Sequence, residues 1–427
     1  MAQRLKYSSL SDKDVAAMEG SMYQRYTLDK GINTSGTVSF VVQGHNEGFI
    51  DMSDCYLKSK LRVVKADGSA LPPEARVYLS PGYGRNLWSR AEVALNNTPI
   101  PPTNEYALTT RVVELLSCGG DWRATVGTPL GETDTSYNSS SQVVFVETYK
   151  EMDIMAVAGS KEVVAYTAVG SDFMRSCTQL LPNNMDLRLT LTKARDSTIL
   201  CSSEAGADYK VEIVSCSLFV RRLFPNPRGL AILNENLANG GELRYQRLHT
   251  VALPCAKGSR SWTWHNCFNG KAPARAFCFL LSQEAYFGSF SRISDFFESA
   301  SVAAVRFQLD GRDILPEPYS TSYGYDASGQ IDVSNTNALS AFHGIRKVLG
   351  DFGGHGKDMG MGYSEFIKGC TLYAVDLEHS IVAKPVSGSF TVQIDFATSL
   401  SEACMIVIVG EFAKSLAFDA NRSIVVA

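Results

Sequence analysis

Two stretches of this chain match each other at a fixed distance. Val93-Ala94-Leu95-Asn96-Asn97-Thr98-Pro99-Ile100-Pro101-Pro102 answers to Arg306-Phe307-Gln308-Leu309-Asp310-Gly311-Arg312-Asp313-Ile314-Leu315-Pro316. Leu95 falls on Leu309 and Ile100 on Ile314, both 214 positions later, in a chain of 427 residues. Each stretch reads as a strand, a tight Asn or Asp turn and an Ile-x-Pro segment, followed by an amphipathic helix that ends in Gly-Asp (Gly120-Asp121 and Gly350-Asp351). A repeat at half the chain length is the mark of a diverged tandem duplication. Such a chain must fold as two copies of one unit, each of about 200 residues. The joint falls near Phe224-Pro225-Asn226-Pro227-Arg228-Gly229, where two prolines and a glycine end a strand. The expected units are therefore 1–225 and 226–427.

The texture inside each copy is β. Thr37–Val42, Tyr56–Val64, Leu187–Thr192, Tyr209–Val214 and Phe390–Phe396 are β-branched or alternate with period two. That is the pattern of antiparallel strands with one face in a core. Met405–Val409 is apolar throughout, as a strand buried on both faces is. Many such strands between Gly, Asn, Asp and Pro turns imply an all-β sandwich or barrel. Two helices are expected, from about Asn104 to Ser117 and from about Thr336 to Leu349, with Gly119-Gly120 and Gly350 as stops. Gly127–Gln142 and Glu317–Thr336 read as surface excursions at one end of the molecule.

Composition excludes several classes. Lys plus Arg is 40 against 44 Asp plus Glu, a net charge of -4, so a chain-wide basic surface for nucleic acid is absent. Up to Lys30, five cationic residues face four anionic ones, which is no basic arm. No run of about 18 apolar residues spans a membrane. Met1–Leu10 has no apolar stretch of a secretory leader, so synthesis in the cytosol is expected. The ten cysteines are scattered with no C-x-x-C pair and read as small buried hydrophobes.

Chemistry is hard to find. Gly350–Gly362 is rich in glycine, but Gly356-Lys357 runs into Asp358 and the segment follows a helix, so it fits a surface loop and not a phosphate cradle. His45, His249, His265, His343, His355 and His379 form neither H-x-H nor H-E-x-x-H. Glu47 with Asp51, and Asp351 with Asp358, suit turns and solvated faces. Trp262 and Trp264 share one face of a strand. They could form a stacking platform for a sugar or a base, yet the commoner role of such a pair is a core or interface face. Phe296-Phe297 reads as a pair with at least one buried ring. No catalytic, cofactor-binding or metal site is assigned, and no enzyme activity is expected.

The order of several pieces resembles the double jelly-roll major capsid proteins of the adenovirus-hexon lineage, above all the shorter forms in Polinton (Maverick) virus-like elements and related DNA viruses. The pieces are Glu47–Asp51, Tyr56–Leu61, the turn Asp67-Gly68, Asn86–Asn96, Glu114–Ser117, Leu181–Leu189, Tyr373–Leu377, Gly410-Glu411-Phe412 and Asp419–Val425. The resemblance covers most of the chain and carries strand and turn motifs, so it transfers fold and assembly, not a reaction. It implies two tandem eight-stranded antiparallel jelly rolls with short helices in loops. It implies a homotrimeric, pseudo-hexagonal capsomer tiling an icosahedral shell around DNA, with neighbouring capsomers, penton or vertex proteins and minor capsid proteins as partners. Specific nucleic-acid binding is not implied. Long tower insertions of the hexon kind are missing, which implies a lower outer surface. The first 20 or so residues and the tail after Phe418 are expected to be inner-face arms ordered by neighbours. The alternative is a carbohydrate-binding β-sandwich centred on Trp262 and Trp264. An enzyme would need a cleft constellation that the sequence lacks, and a single-roll vertex protein would not repeat.

Overall fold

The computed structural model describes residues 18–28, 36–122, 125, 127–130, 157–177, 179–204, 206–298, 302–322, 336–349, 359, 361–367, 369–377 and 387–425. The first part of the chain forms β1 (Met18–Thr27), β2 (Thr37–Val42), β3 (Phe49–Lys65), β4 (Val77–Leu79), β5 (Trp88–Leu95), β6 (Thr98–Pro99), β7 (Val163–Ala168), β8 (Leu187–Lys193), β9 (Leu200–Ser202) and β10 (Tyr209–Pro225). Two antiparallel sheets, β1-β10-β3-β7 and β2-β8-β5-β6, enclose a core, and β4 with β9 is a small annex. The second part forms β11 (Gly241–Cys255), β12 (Ser261–Trp264), β13 (Arg275–Ser282), β14 (Val302–Leu309), β15 (Arg312–Asp313), β16 (Tyr373–Asp376), β17 (Phe390–Phe396), β18 (Cys404–Phe418) and β19 (Ile424–Val425). Its sheets are β11-β18-β13-β16 and β12-β17-β14-β15, with β19 on the end of β18. Leaving out β4, β9 and β19, each part has eight strands. Counted within each part, both pairs of sheets run 1-8-3-6 and 2-7-4-5. Those are two tandem jelly rolls of one topology.

The sequence repeat lies on equivalent hairpins. β5 and β6 turn through Asn96 and Asn97 (φ 45° and 66°), and β14 and β15 through Asp310 and Gly311 (φ 51° and 76°). Both pairs of positive φ values match the tight turn that the right-handed strand twist favours. The Asn96 backbone N–H donates to Asp186 O at 3.0 Å, while Asn96 Oδ1 accepts from Asp186 N at 2.8 Å. Asp310 does the same with Ser389, at 3.0 Å and 2.8 Å. Ile100 N donates to Val93 O, and Ile314 N donates to Phe307 O. The duplication is thus preserved down to single hydrogen bonds.

Helices cover Tyr106–Ser117 and Leu339–Leu349, slightly inside the expected bounds. A third, Pro227–Asn236, lies where only a strand end was expected. Asn226 caps it by accepting from Gly229 N at 2.7 Å, and Pro227 occupies the first turn, where its missing N–H costs nothing. Asn-Pro stops the strand and starts this helix. The segment expected as a free loop from Glu317 begins as sheet: Tyr319 exchanges two backbone bonds with Val305, and Thr321 N donates to Val302 O. Positions 323–335, 131–142, 350–358 and 360 of the three expected loops lie outside the described residues, as does the arm before residue 18.

The two cores exchange elements. Leu233 and Leu237 of the linking helix, Leu243 and Tyr245 of β11, and Phe418 of β18 belong to the first roll's core. Leu108, Val112, Leu115 and Leu116 belong to the second roll's core, although their helix comes after β6 of the first. Neither roll completes its core alone.

Candidate assembly interface

The contact between the rolls is made by alternating chemistry along an edge strand. Among the described residues β11 is the outer strand of its sheet, paired only with β18. Its backbone N–H groups on alternate residues are taken by three side chains of one first-roll segment. Arg244 N donates to Gln179 Oε1 at 2.7 Å, Gln246 N to Ser176 Oγ at 2.9 Å, and Leu248 N to Asp172 Oδ2 at 3.3 Å. Ser176 Oγ donates back to Gln246 O at 2.9 Å. A two-residue spacing is the period on which outward N–H groups recur along a strand, so one short segment caps the edge. Asp172 also accepts from Thr103 Oγ1 at 2.6 Å and from Phe173 N at 2.8 Å. Burial raises its carboxyl above the usual range, and those bonds pull the other way.

The Tyr106–Ser117 helix lays its apolar side on the second roll. Beside that contact Thr109 Oγ1 meets Thr250 Oγ1 at 2.9 Å, and Tyr286 Oη donates to Glu105 Oε1 at 3.1 Å. Deeper lies a buried ionic group. Arg85 Nη1 contacts Glu114 Oε2 at 2.8 Å, and Arg85 Nη2 bonds Asp295 Oδ2. Arg111 Nε stands 4.0 Å from Asp295 Oδ2, and Arg111 Nη2 lies 3.5 Å from Cys370 Sγ. The Arg85 and Asp295 side chains are only 4% and 1% exposed. Two guanidinium groups and two carboxylates therefore balance across the rolls, as buried charges must. Nothing in the sequence joins Arg85 to Asp295, 210 residues apart; only the Asn86–Asn96 and Glu114–Ser117 pieces touch this region. A cavity of about 370 Å³ lined by Trp88, Glu105, Arg195, Tyr286, Phe287 and Asp295 opens beside it.

The chain end also joins the rolls. Arg422 Nη1 donates to Leu237 O at 2.9 Å and Nη2 to Asn183 Oδ1 at 3.3 Å, while Asn96 Nδ2 donates to Arg422 O at 2.7 Å. Through Val425 the tail is held by its own chain, not left to neighbours as expected.

The remaining candidates fall into structural settings. Trp262 and Trp264 are half-buried against the second core, edge to face with centroids 6.1 Å apart, and Trp262 Nε1 donates to Pro254 O. Two perpendicular rings offer no shared flat face to a sugar. Phe296 and Phe297 are both buried. Phe297 stacks on Phe279 at 4.0 Å, while Phe296 packs with Cys201 and Ile293 between the rolls. His45 Nδ1 accepts from Glu47 N and Gly48 N, holding the turn into β3. His249 packs on Phe268 and Phe412, and its burial lowers its pKa. Among the described residues no three His, Cys, Asp or Glu side chains gather around a metal-sized space. His355, His379, Asp351 and Asp358 lie outside them.

No protein-family model matches the sequence, and no curated protein sequence matches it. Solved structures do match. A chain of the Sputnik virophage structure aligns with a TM-score of 0.62 at 9% identity, over 96% of this chain and 89% of that one. The mavirus major capsid protein aligns at 0.55 and 10%, over 94% and 90%. The Faustovirus major capsid protein aligns at 0.51 and 10%, over 93% and 90%. The fold is the double jelly roll of viral major capsid proteins. This double jelly roll is therefore reached twice, from strand order within the chain and from whole-chain superposition.

Proposed function

We propose that this chain is the major capsid protein of a DNA virus or virus-like element. Three copies form a pseudo-hexagonal capsomer, and capsomers tile an icosahedral shell. The observation that carries the reading is the duplication of one roll topology joined by a capped edge strand. Two like rolls per chain give a trimer six like sides, so one block can meet six neighbours. Superposition on the mavirus and Faustovirus major capsid proteins over more than nine-tenths of the chain supports the same role. The working division is 1–225 for the first roll and 226–427 for the second, each leaning on the other through the exchanged core residues. The partners are other copies of this chain, neighbouring capsomers, and vertex and minor capsid proteins. The protein acts in the virion as a building block and not as an enzyme. Negative-stain microscopy of the purified protein tests this: hexagonal particles with a threefold average are expected, and a field of single two-lobed particles would refute it.

A further inference from the structure

β11 and β18 run antiparallel without a shift in register, from Gly241 opposite Phe418 to Cys255 opposite Cys404. That last rung sets two free thiols face to face, at the end of one strand and the start of the other. Among the described residues no other rung pairs two cysteines. Cys216 stands opposite Ser59, Cys201 opposite Tyr78, and Cys278 between Tyr373 and Ile408. The first roll has Thr27 opposite Ser217 at the corresponding end of β1 and β10. The thiol pair therefore belongs to the second copy alone and is no part of the shared strand pattern.

Opposite residues of an antiparallel ladder point to the same face, with Cα atoms about 4.5–5.5 Å apart. A disulfide spans Cα atoms about 4.4–6.8 Å apart, so the backbone of this rung already suits one. The Cβ atoms must close to about 3.5–4.5 Å, from about 4.5–5.5 Å in an unlinked rung. This rung ends its ladder, where each strand has one flanking rung instead of two and gives most easily. Both side chains lie on the second core, Cys255 2% and Cys404 5% exposed. Burial first, and then the neighbouring Cys255, hold the Cys404 thiol above its ordinary pKa. The pair therefore rests as protonated thiols at neutral pH, slow to react until an oxidant small enough to enter is supplied.

We infer that Cys255 and Cys404 are a redox pair that closes to a disulfide under peroxide and reopens under a dithiol reductant. Cys404 Sγ, the less buried of the two, loses its proton and attacks one oxygen of hydrogen peroxide. The O–O bond breaks, the departing hydroxide takes that proton and leaves as water, and a sulfenic acid remains on Cys404. Cys255 Sγ then loses its proton and attacks the oxidised sulfur; the S–O bond breaks and a second water leaves. Two thiols have given up two electrons, and one peroxide has become two waters. A dithiol reverses this by exchange, ending as its own disulfide with its two protons on the cysteines. The bond closes a loop of about 150 residues, and long loops take the most freedom from the unfolded chain. It also ties the end of β11 to β18, and β11 is the strand whose other edge takes the Asp172, Ser176 and Gln179 bonds. Both cysteines belong to one chain, so the pair does not depend on the capsomer reading.

The test treats the full-length reduced protein with hydrogen peroxide, removes the excess with catalase, blocks the remaining thiols with iodoacetamide in denaturant, and maps the peptides without reductant. The expected result is one linked peptide pair holding Cys255 and Cys404, two hydrogens lighter than its separate peptides, in more than half of the chains and lost after dithiothreitol. The urea midpoint of the oxidised protein should rise and should return on reduction. Cys255 and Cys404 recovered as blocked thiols, or as sulfinic acids without a link, overturn the pair. So does a link that joins other cysteines in their place. An unchanged midpoint in the linked protein overturns the stabilising role. The Cys255→Ser variant checks the order of events: after peroxide its Cys404 should react with dimedone, and an unlabelled Cys404 overturns its place as the first thiol oxidised. If that variant fails to fold, the wild-type peptide map decides alone.

Discussion

At the scale of single residues, the buried ionic group is the feature on which the two rolls most depend. Asp295 faces Arg85 and Arg111 from the other roll, and its side chain is 1% exposed. Asp295→Ala leaves two guanidinium groups without their counter-charge, and the expected loss is about 3–5 kcal/mol, measured by denaturant unfolding. Arg85→Ala added to it should cost less than the sum of the two single changes, because each already removes the same contact. The thiols make a second residue-scale prediction. Nine of the ten cysteines are buried and only Cys118 is partly exposed. Burial pushes the thiols of Cys55, Cys177, Cys201 and Cys267 up to about 12. Thiolate, the reactive form, is then scarce at neutral pH. An aromatic disulfide reagent should titrate no more than one thiol in the native protein, and all ten in denaturant. Rapid titration of several native thiols would contradict this packing.

At the scale of elements, the paired hairpins give a clean backbone test. Gly311 sits at φ 76°, and a Cβ placed there meets nothing within 4 Å. Gly311→Ala should therefore cost about 1–2 kcal/mol from backbone strain alone, read as a shift of the urea midpoint. These hairpins were legible in the sequence because Asn-Asn and Asp-Gly carry their turn geometry locally, and because the repeat shows the same turn twice. β2 and β17 were legible for a similar reason: alternation over six or seven residues meets one core face, and the bounds of both strands agree with the pattern. The Pro227–Asn236 helix was missed because Asn-Pro both ends a strand and starts a helix, and the packing of Leu233 against the first core decides between them. The helix Tyr106–Ser117 was found, but not its role. Its apolar stripe is the same whether it covers its own roll or the next. The interface residues were the least legible of all. Asp172, Ser176 and Gln179 act on β11 N–H groups about 70 positions away, and a pattern of period two along β11 says nothing of what caps its edge.

At the scale of the whole molecule, the exchanged core residues make the chain one cooperative body built from two copies. A protease site inserted after Asn239, between the linking helix and β11, should be cut without releasing either roll. The nicked halves are expected to co-elute and to unfold in one transition, because Leu108, Val112, Leu115 and Leu116 stay in the second core, and Leu243, Tyr245 and Phe418 in the first. Separation of the halves on nicking would show that the exchange adds little. In the proposed capsomer the interfaces should be extensive and largely apolar, above about 2,000 Å². Such contacts tolerate dilution and salt better than charge pairs do. The decisive measurement is the mass of the purified chain in solution by light scattering across a dilution series. A species near 140 kDa, three times the 46.5 kDa chain, that persists on dilution is the expected result. A homogeneous species of single-chain mass at every concentration would contradict a capsid subunit.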